Sequence, residues 1–207
     1  MPFDFDFALS ILPLLLKGAV VTVIATFGGF AGALVGGAVI AACNRSNWWA
    51  LRLLARGFVY VVRNTPLLVQ LYFVFYVLPG FGITIGALTA GILGLSIHYS
   101  AFTAEIYRAG IGAVPPGQFE AADALGLTRL QKWTLVVAPQ AIRPVLPILG
   151  NYLIGMFKET PILAAITIIE LFGTAQDIAG KTYRYNEPYT LVALIFLLIS
   201  IPCSLVV

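Results

Sequence analysis

Residues 115–147, PPGQFEAADALGLTRLQKWTLVVAPQAIRPVLP, form the longest polar interruption in an otherwise apolar sequence. At the centre lies Glu120-Ala121-Ala122-Asp123-Ala124-Leu125-Gly126-Leu127, followed by Val136 and Pro139. Glu120, Ala121, Ala122, Ala124 and Leu125 favour helix, and Gly126 is a permissive stop where the chain turns. Arg129 to Val137 then restarts with Leu130, Trp133, Val136 and Val137 near one helical face. The spacing predicts two short helices broken at a glycine.

Composition sets the surroundings of this loop. With 60% hydrophobic and only 10% charged residues, and a mean hydropathy of +0.95, the chain is no soluble domain, where about 25% are charged. Several runs approach the roughly 20 apolar residues that a membrane-crossing helix needs. The net charge of +3 is small and scattered, which argues against nucleic acid as a partner. Cys43 and Cys203 end separate apolar runs with no metal or redox spacing, so both read as structural thiols and no metal site is expected. The opening MPFDFDFALS carries acids where a signal peptide carries bases, so no cleavable signal is expected.

Read in order, the chain predicts an all-α polytopic membrane protein with five transmembrane helices. Residues 3–17, punctuated by Asp4, Asp6, Pro13 and Lys17, read as an amphipathic interfacial lead-in. The first span is expected over residues 18–43, with Gly28, Gly32 and Gly36 forming a small-residue stripe for close helix packing. Residues 44–63 carry four arginines, no acid, and Trp48 and Trp49, the pattern of a helix at the membrane surface. Asn64-Thr65-Pro66 reads as a helix start, with a capping side chain ahead of a first-turn proline. Further spans are expected over 66–78, 83–107, 148–172 and 189–207, with a polar loop at 173–188. Arg45, Arg52, Arg56 and Arg63 fall in the first loop and Arg108, Arg129, Lys132 and Arg143 in the third, against Lys181 and Arg184 in the fourth. The positive-inside rule then places the N-terminus outside and the C-terminus in the cytoplasm.

The EAA-x₃-Gly loop, with Val136 and Ala138 ahead of Pro139, resembles the cytoplasmic loop of permease subunits of ABC importers. Two flanking blocks, Arg63-Asn64-Thr65-Pro66-Leu67-Leu68-Val69-Gln70 and Ala104-Glu105-Ile106-Tyr107-Arg108-Ala109-Gly110-Ile111, resemble the polar amino acid uptake branch. Residues 182–189, TYRYNEPY, look more like permeases for ectoine-type compatible solutes. The resemblance implies a type I ABC importer (MetI-like) permease fold over a single domain, 1–207, in the bacterial inner membrane. Residues 1–17 would be the periplasmic lead-in and residues 108–145 the cytoplasmic coupling loop. It also implies a second permease subunit, identical or homologous, two cytoplasmic ATPases, an extracytoplasmic solute-binding protein and surrounding lipid as partners. Glu120, Ala121, Ala122, Gly126 and Leu127 are then the coupling residues. The chain has no phosphate-binding GxxxxGK[ST] loop, so no cofactor is expected here and ATP belongs to the partner.

Ionisable groups inside a span are costly and mark cavities or each other. Lys158 and Glu159, with Thr160, are the candidates for a path taking a small zwitterionic solute; a purely structural interhelical pair is the alternative. Adjacent helical residues point about 100° apart, so the pair is not expected to share one face. Pro161 should free the carbonyl of Phe157. His98 and Tyr99 read either as packing residues or as solute contacts, and Gln70 and Tyr72 likewise either as packing residues or as pocket lining. Glu105 and Arg108 read as an ion pair on one helix. The competing function is an ion-coupled secondary transporter or channel, which would favour inverted repeats and more buried acids. An intramembrane enzyme lacks its paired catalytic groups.

Overall fold

The computed structural model describes residues 3–206, and every regular element among them is helical. Residues 1 and 2 of the expected lead-in, and residue 207 of the fifth span, lie outside the described residues. The lead-in proves not to be a separate element. α1 (Phe5–Asn44) runs unbroken for 40 residues, about 60 Å, twice the ~30 Å hydrocarbon core. Its first turns are held by burial: Ile11, Leu15 and Ala19 pack on Leu171, Ala175 and Ile178. The Asp4 carboxylate caps it by accepting from the Phe7 N–H at 3.1 Å, and pairs with Arg184 at 2.8 Å. That guanidinium holds the Asp4 carboxyl below the usual carboxylate range.

The glycine stripe of α1 meets α4 (Ala87–Gly112). Gly28 faces Ile92, Gly32 faces Ser96 and Gly36 faces Ser100; an added Cβ at Gly29 would lie 2.8 Å from the Leu95 Cβ. Close approach lets hydroxyls cross the seam: Thr103 donates to the Ala33 carbonyl at 2.8 Å and Ser96 to that of Gly29 at 3.2 Å. Small residues and interhelical hydrogen bonds replace the hydrophobic drive that lipid does not supply.

Between these helices, α2 (Trp49–Arg63) and α3 (Leu67–Tyr72) meet at a bend of 108°. Asn64 and Thr65 do not cap α3 as expected. Their side chains turn back, Asn64 donating to the Tyr60 carbonyl at 2.7 Å and Thr65 to that of Val61 at 2.9 Å. Both side chains thus close the last turn of α2, and Pro66 opens α3 without a side-chain cap. After α3 the chain passes a π-helical turn, Phe73–Val77, and a 3₁₀ turn, Leu78–Phe81, closed by Gly82 at φ +82°.

Beyond α4 come α5 (Pro116–Ala124), α6 (Arg129–Gln131), a π-helical turn over Lys132–Val137, and α7 (Ala138–Glu159). The fourth span therefore begins and ends earlier than expected, because Pro144 and Pro147 are accommodated inside α7 instead of bounding it. Helix α7 stops at the Phe157 carbonyl that Pro161 cannot reach; the Thr160 hydroxyl takes it at 2.8 Å, and a 3₁₀ turn, Thr160–Ile166, follows. Where a polar loop was expected stands α8 (Leu171–Thr182). Its cap is the buried Glu170, which accepts from Gly173 N–H at 2.7 Å, Phe172 N–H at 2.9 Å and the Thr22 hydroxyl of α1 at 3.2 Å. α9 (Asn186–Val206) ends the described chain. Among the described residues four helical stretches are long and apolar enough to cross a membrane, and the bent α2–α3 pair, taken as one broken span, makes a fifth.

The seam yields a paired test. Gly29→Ala should cost about 1–3 kcal/mol by overpacking against Leu95. Gly57→Ala in α2, where nothing lies within 4 Å, should stabilise by about 0.5–1 kcal/mol. Thermal unfolding in one detergent measures both.

Candidate functional site

Two breaks in the helices, the α2–α3 elbow and the end of α7, frame an open cleft of about 880 Å³ against α4. Arg63, Asn64 and Pro66 line it from the elbow, His98 and Phe102 from α4, and Lys158, Glu159 and Pro161 from α7. Lys158 and Glu159 border one cavity although they are adjacent. The helix ends at Glu159, so the cleft wraps around its last turn instead of facing one side.

The predicted path residues fall into three roles. His98, Lys158 and Glu159 line the cleft. Gln70 and Tyr99 stand behind them. The Tyr99 hydroxyl donates to Glu159 Oε2 at 2.8 Å, which leaves Oε1 open. The Gln70 amide nitrogen donates to the Val62 carbonyl at 2.9 Å and to the Thr65 hydroxyl at 2.7 Å, stapling the elbow. Those acceptors fix which end of the amide is nitrogen. Gln70 Oε1 therefore accepts from His98 Nδ1 at 3.2 Å, and in the neutral ring Nε2 is left as an acceptor. Thr160 is wholly buried and serves the Phe157 carbonyl.

Sequence reasoning missed Arg63, reading it as one more arginine of the surface helix. It closes α2, borders the cleft and lies 5.4 Å over the Phe102 ring. The available signal was its place directly before Asn64-Thr65-Pro66. Glu105 and Arg108 pair as expected, at 2.7 Å.

The motif loop is built by two caps. The Gly126 N–H bonds the Asp123 carbonyl and the Leu127 N–H bonds that of Ala122 at 3.1 Å, with Gly126 at φ +66°. This is the Schellman ending, in which glycine takes the left-handed position. Thr128 and Gln131 then form a capping box that starts α6. Ala122 is buried, and the loop rests on Val114 at the end of α4 and on Val137 and Ala141 at the start of α7. Asp123 pairs with Lys132 across the turn. Glu120, Ala121 and Gly126 are exposed, and Leu125 and Leu130 stand 78% and 73% exposed. Leu130 thus departs from the apolar face expected of it, while Trp133, Val136 and Val137 keep theirs.

A bundle of membrane-length helices whose breaks frame a polar cleft is the architecture of a transporter. Residues 33–207 match the family described as binding-protein-dependent transport system inner membrane component, and the chain belongs to that family. A probable amino-acid ABC transporter permease protein, y4tG of Sinorhizobium fredii, is 43% identical over 99% of this chain and 88% of its own length. The glutamine transport system permease protein GlnP of Escherichia coli is 33% identical over 100% of this chain and 95% of its own. The crystal structure of an amino acid ABC transporter with histidines superposes with a TM-score of 0.92 at 40% identity, covering 100% of this chain and 96% of that one. The inward-facing MetNI methionine ABC transporter, at 22% identity, a TM-score of 0.73 and coverage of 95% and 96%, shares the fold. The chain is a multi-pass permease subunit of an ABC importer, with the MetI-like type I fold.

Removing the loop's second cap tests this geometry. Thr128→Ala should cost about 0.5–2 kcal/mol locally, seen as faster amide hydrogen exchange over residues 129–132 with no change in the membrane helices.

Proposed function

We propose that the chain carries an amino acid through the inner membrane, as one of two permease subunits fed by an extracytoplasmic solute-binding protein and driven by two cytoplasmic ATPases. The observation that carries this reading is the joint presence of Arg63, Lys158 and Glu159 on one cleft, framed by the α2–α3 elbow and the end of α7. Ionisable side chains on membrane helices are kept where they line a cavity or meet a partner of opposite charge. A zwitterion pairs with both signs: its carboxylate with the Arg63 fork or Lys158, its ammonium with the open Glu159 Oε1. Tyr99 keeps that carboxylate aimed, and His98, held by Gln70, presents Nε2 to a polar side chain. The named amino-acid and glutamine relatives support the solute class.

Arg45, Arg129 and Lys132 line one cavity at the loop end, with Arg143 in the second turn of α7, and favour a cytoplasmic loop, an outer N-terminus and an inner C-terminus. Glu120, Ala121, Gly126 and Leu127 then meet the ATPase, with Ala122 seating α5 on its own bundle. Because α5 rests on both α4 and α7, ATPase closure moves the two helices that carry His98, Lys158 and Glu159.

Uptake of labelled amino acids by proteoliposomes holding the full complex tests the cleft. Glu159→Gln and Arg63→Gln should each lower uptake at least ~30-fold, the equivalent of about 2 kcal/mol for a desolvated charge contact, with assembly unchanged. Wild-type uptake by both variants would remove the cleft from the solute's path.

A further inference from the structure

At the loop end of the bundle a second cavity, of about 710 Å³, opens between α1, α4, the loop and α7, away from the Arg63–Glu159 cleft. Its mouth carries Arg45, Arg129 and Lys132, with Ser46 beside them, and no acidic side chain lines it. Lys132 is engaged by Asp123, and Arg45 lies 5.1 Å over the Trp133 ring. Arg129 makes no ion pair among the described residues. Three cations against one carboxylate leave an excess of positive charge waiting for an anion.

The inner wall of the same cavity is apolar, made by Ala38 and Ala42 of α1 and Ile142 and Val145 of α7. One turn further on, Val35 and Leu146 are exposed on the two helices. The seam then leads to an apolar crevice of about 420 Å³ between α1, α7 and α9, bordered by Phe27, Leu153 and Cys203. Ala38 and Phe27 are 11 positions apart on α1, about 16 Å along the helix. One leaflet's share of the hydrocarbon core is about 15 Å. Trp48 and Trp49, exposed just past Arg45, set the level at which headgroups lie.

We propose that this cavity and seam hold one anionic phospholipid. Its phosphate sits among Arg45, Arg129 and Lys132, and an acyl chain runs between α1 and α7 into the crevice at Phe27 and Leu153. A free anion would use the charged mouth and leave the apolar wall empty; a neutral lipid would use the wall and leave the cations unpaired. Basic pockets between membrane helices select anionic headgroups on this physical ground. The bound lipid touches α1, α6 and α7 together, so it braces the motif loop against the bundle.

Native mass spectrometry of the detergent-purified, delipidated importer complex tests this, with phosphatidylglycerol, phosphatidylcholine and inorganic phosphate as probes. Wild type should retain one phosphatidylglycerol per permease chain, and bind it at least ~10-fold better than phosphatidylcholine. Arg45→Gln with Arg129→Gln should weaken phosphatidylglycerol roughly 30-fold, from about a fivefold factor per lost cation. Ala38→Trp, which fills the wall and keeps every charge, should also lose it; this second variant covers a failure of the first to assemble. Equal binding of phosphatidylcholine, or retention by both variants, would overturn the proposal. So would displacement of the lipid by inorganic phosphate, which would make the mouth a free-anion site. Loss of the ATPase subunit from the double variant with lipid binding intact would assign the cations to subunit contact instead.

Discussion

Acyl chains are as apolar as leucine, so a bilayer gives these helices no hydrophobic reason to prefer one another. The structure depends on the contact of α1 with α4, where glycines let two backbones meet and where Ser96 and Thr103 donate across the seam to carbonyls of Gly29 and Ala33. With α4 fixed there, Leu95 and Tyr99 join Ala25, Ala33 and Met156 in the main core, and Leu71 of α3 seats against the same cluster. The elbow, the cleft and the loop are all referred to this one seam. At its other end α1 is tied to α8 through the triangle of Thr22, Glu170 and the Leu171 N–H.

A second constraint follows from chain connectivity. The motif loop joins the last turn of α4 to the first of α7, and the cleft residues sit on those same two helices. His98 lies about 21 Å from the loop end of α4, and Glu159 about 32 Å from that of α7, at 1.5 Å per residue. Each helix is a continuous rod between loop and cleft, so displacement of α5 reaches the cleft without a chain of side-chain adjustments. The breaks lie beyond the rods: the elbow stapled by Gln70 and the 3₁₀ turn after Glu159. Irregular backbone at membrane depth survives where it lines a cavity or is buried in protein, and both breaks border the cleft.

Much of this was legible in the sequence. Hydropathy marked five crossings, and the glycine stripe marked the face of α1 that meets α4. Gly126 and the helix formers before it gave the loop its bend, and Thr160-Pro161 gave a local break, though the span was expected to continue to residue 172 and α7 ends at Glu159. Other features depended on tertiary partners. Phe5 to Lys17 joined α1 because its apolar face found α8 and α9, which no local pattern in that stretch announces. α8 was read as a loop because its cap, Glu170, fell inside the expected fourth span, and it shows as a cap only once Thr22 of α1 is placed beside it. Pro144 and Pro147 looked like boundaries because local rules count the hydrogen bonds they lose and not the packing that holds α7 through them. Arg63 was hidden by the arginines before it, and only the 108° elbow turns it toward the cleft.

The central claim is that the loop carrying Glu120 and Gly126 passes the state of an ATPase to the membrane helices. The most direct measurement is ATPase activity of the purified complex with and without liganded binding protein, comparing wild type with Glu120→Lys. The account predicts that wild type is stimulated by liganded binding protein, and that Glu120→Lys either sheds the ATPase subunit or hydrolyses ATP without responding. A Glu120→Lys complex that stays assembled and responds as wild type does would contradict it, and would reduce the loop to a connector between α4 and α7.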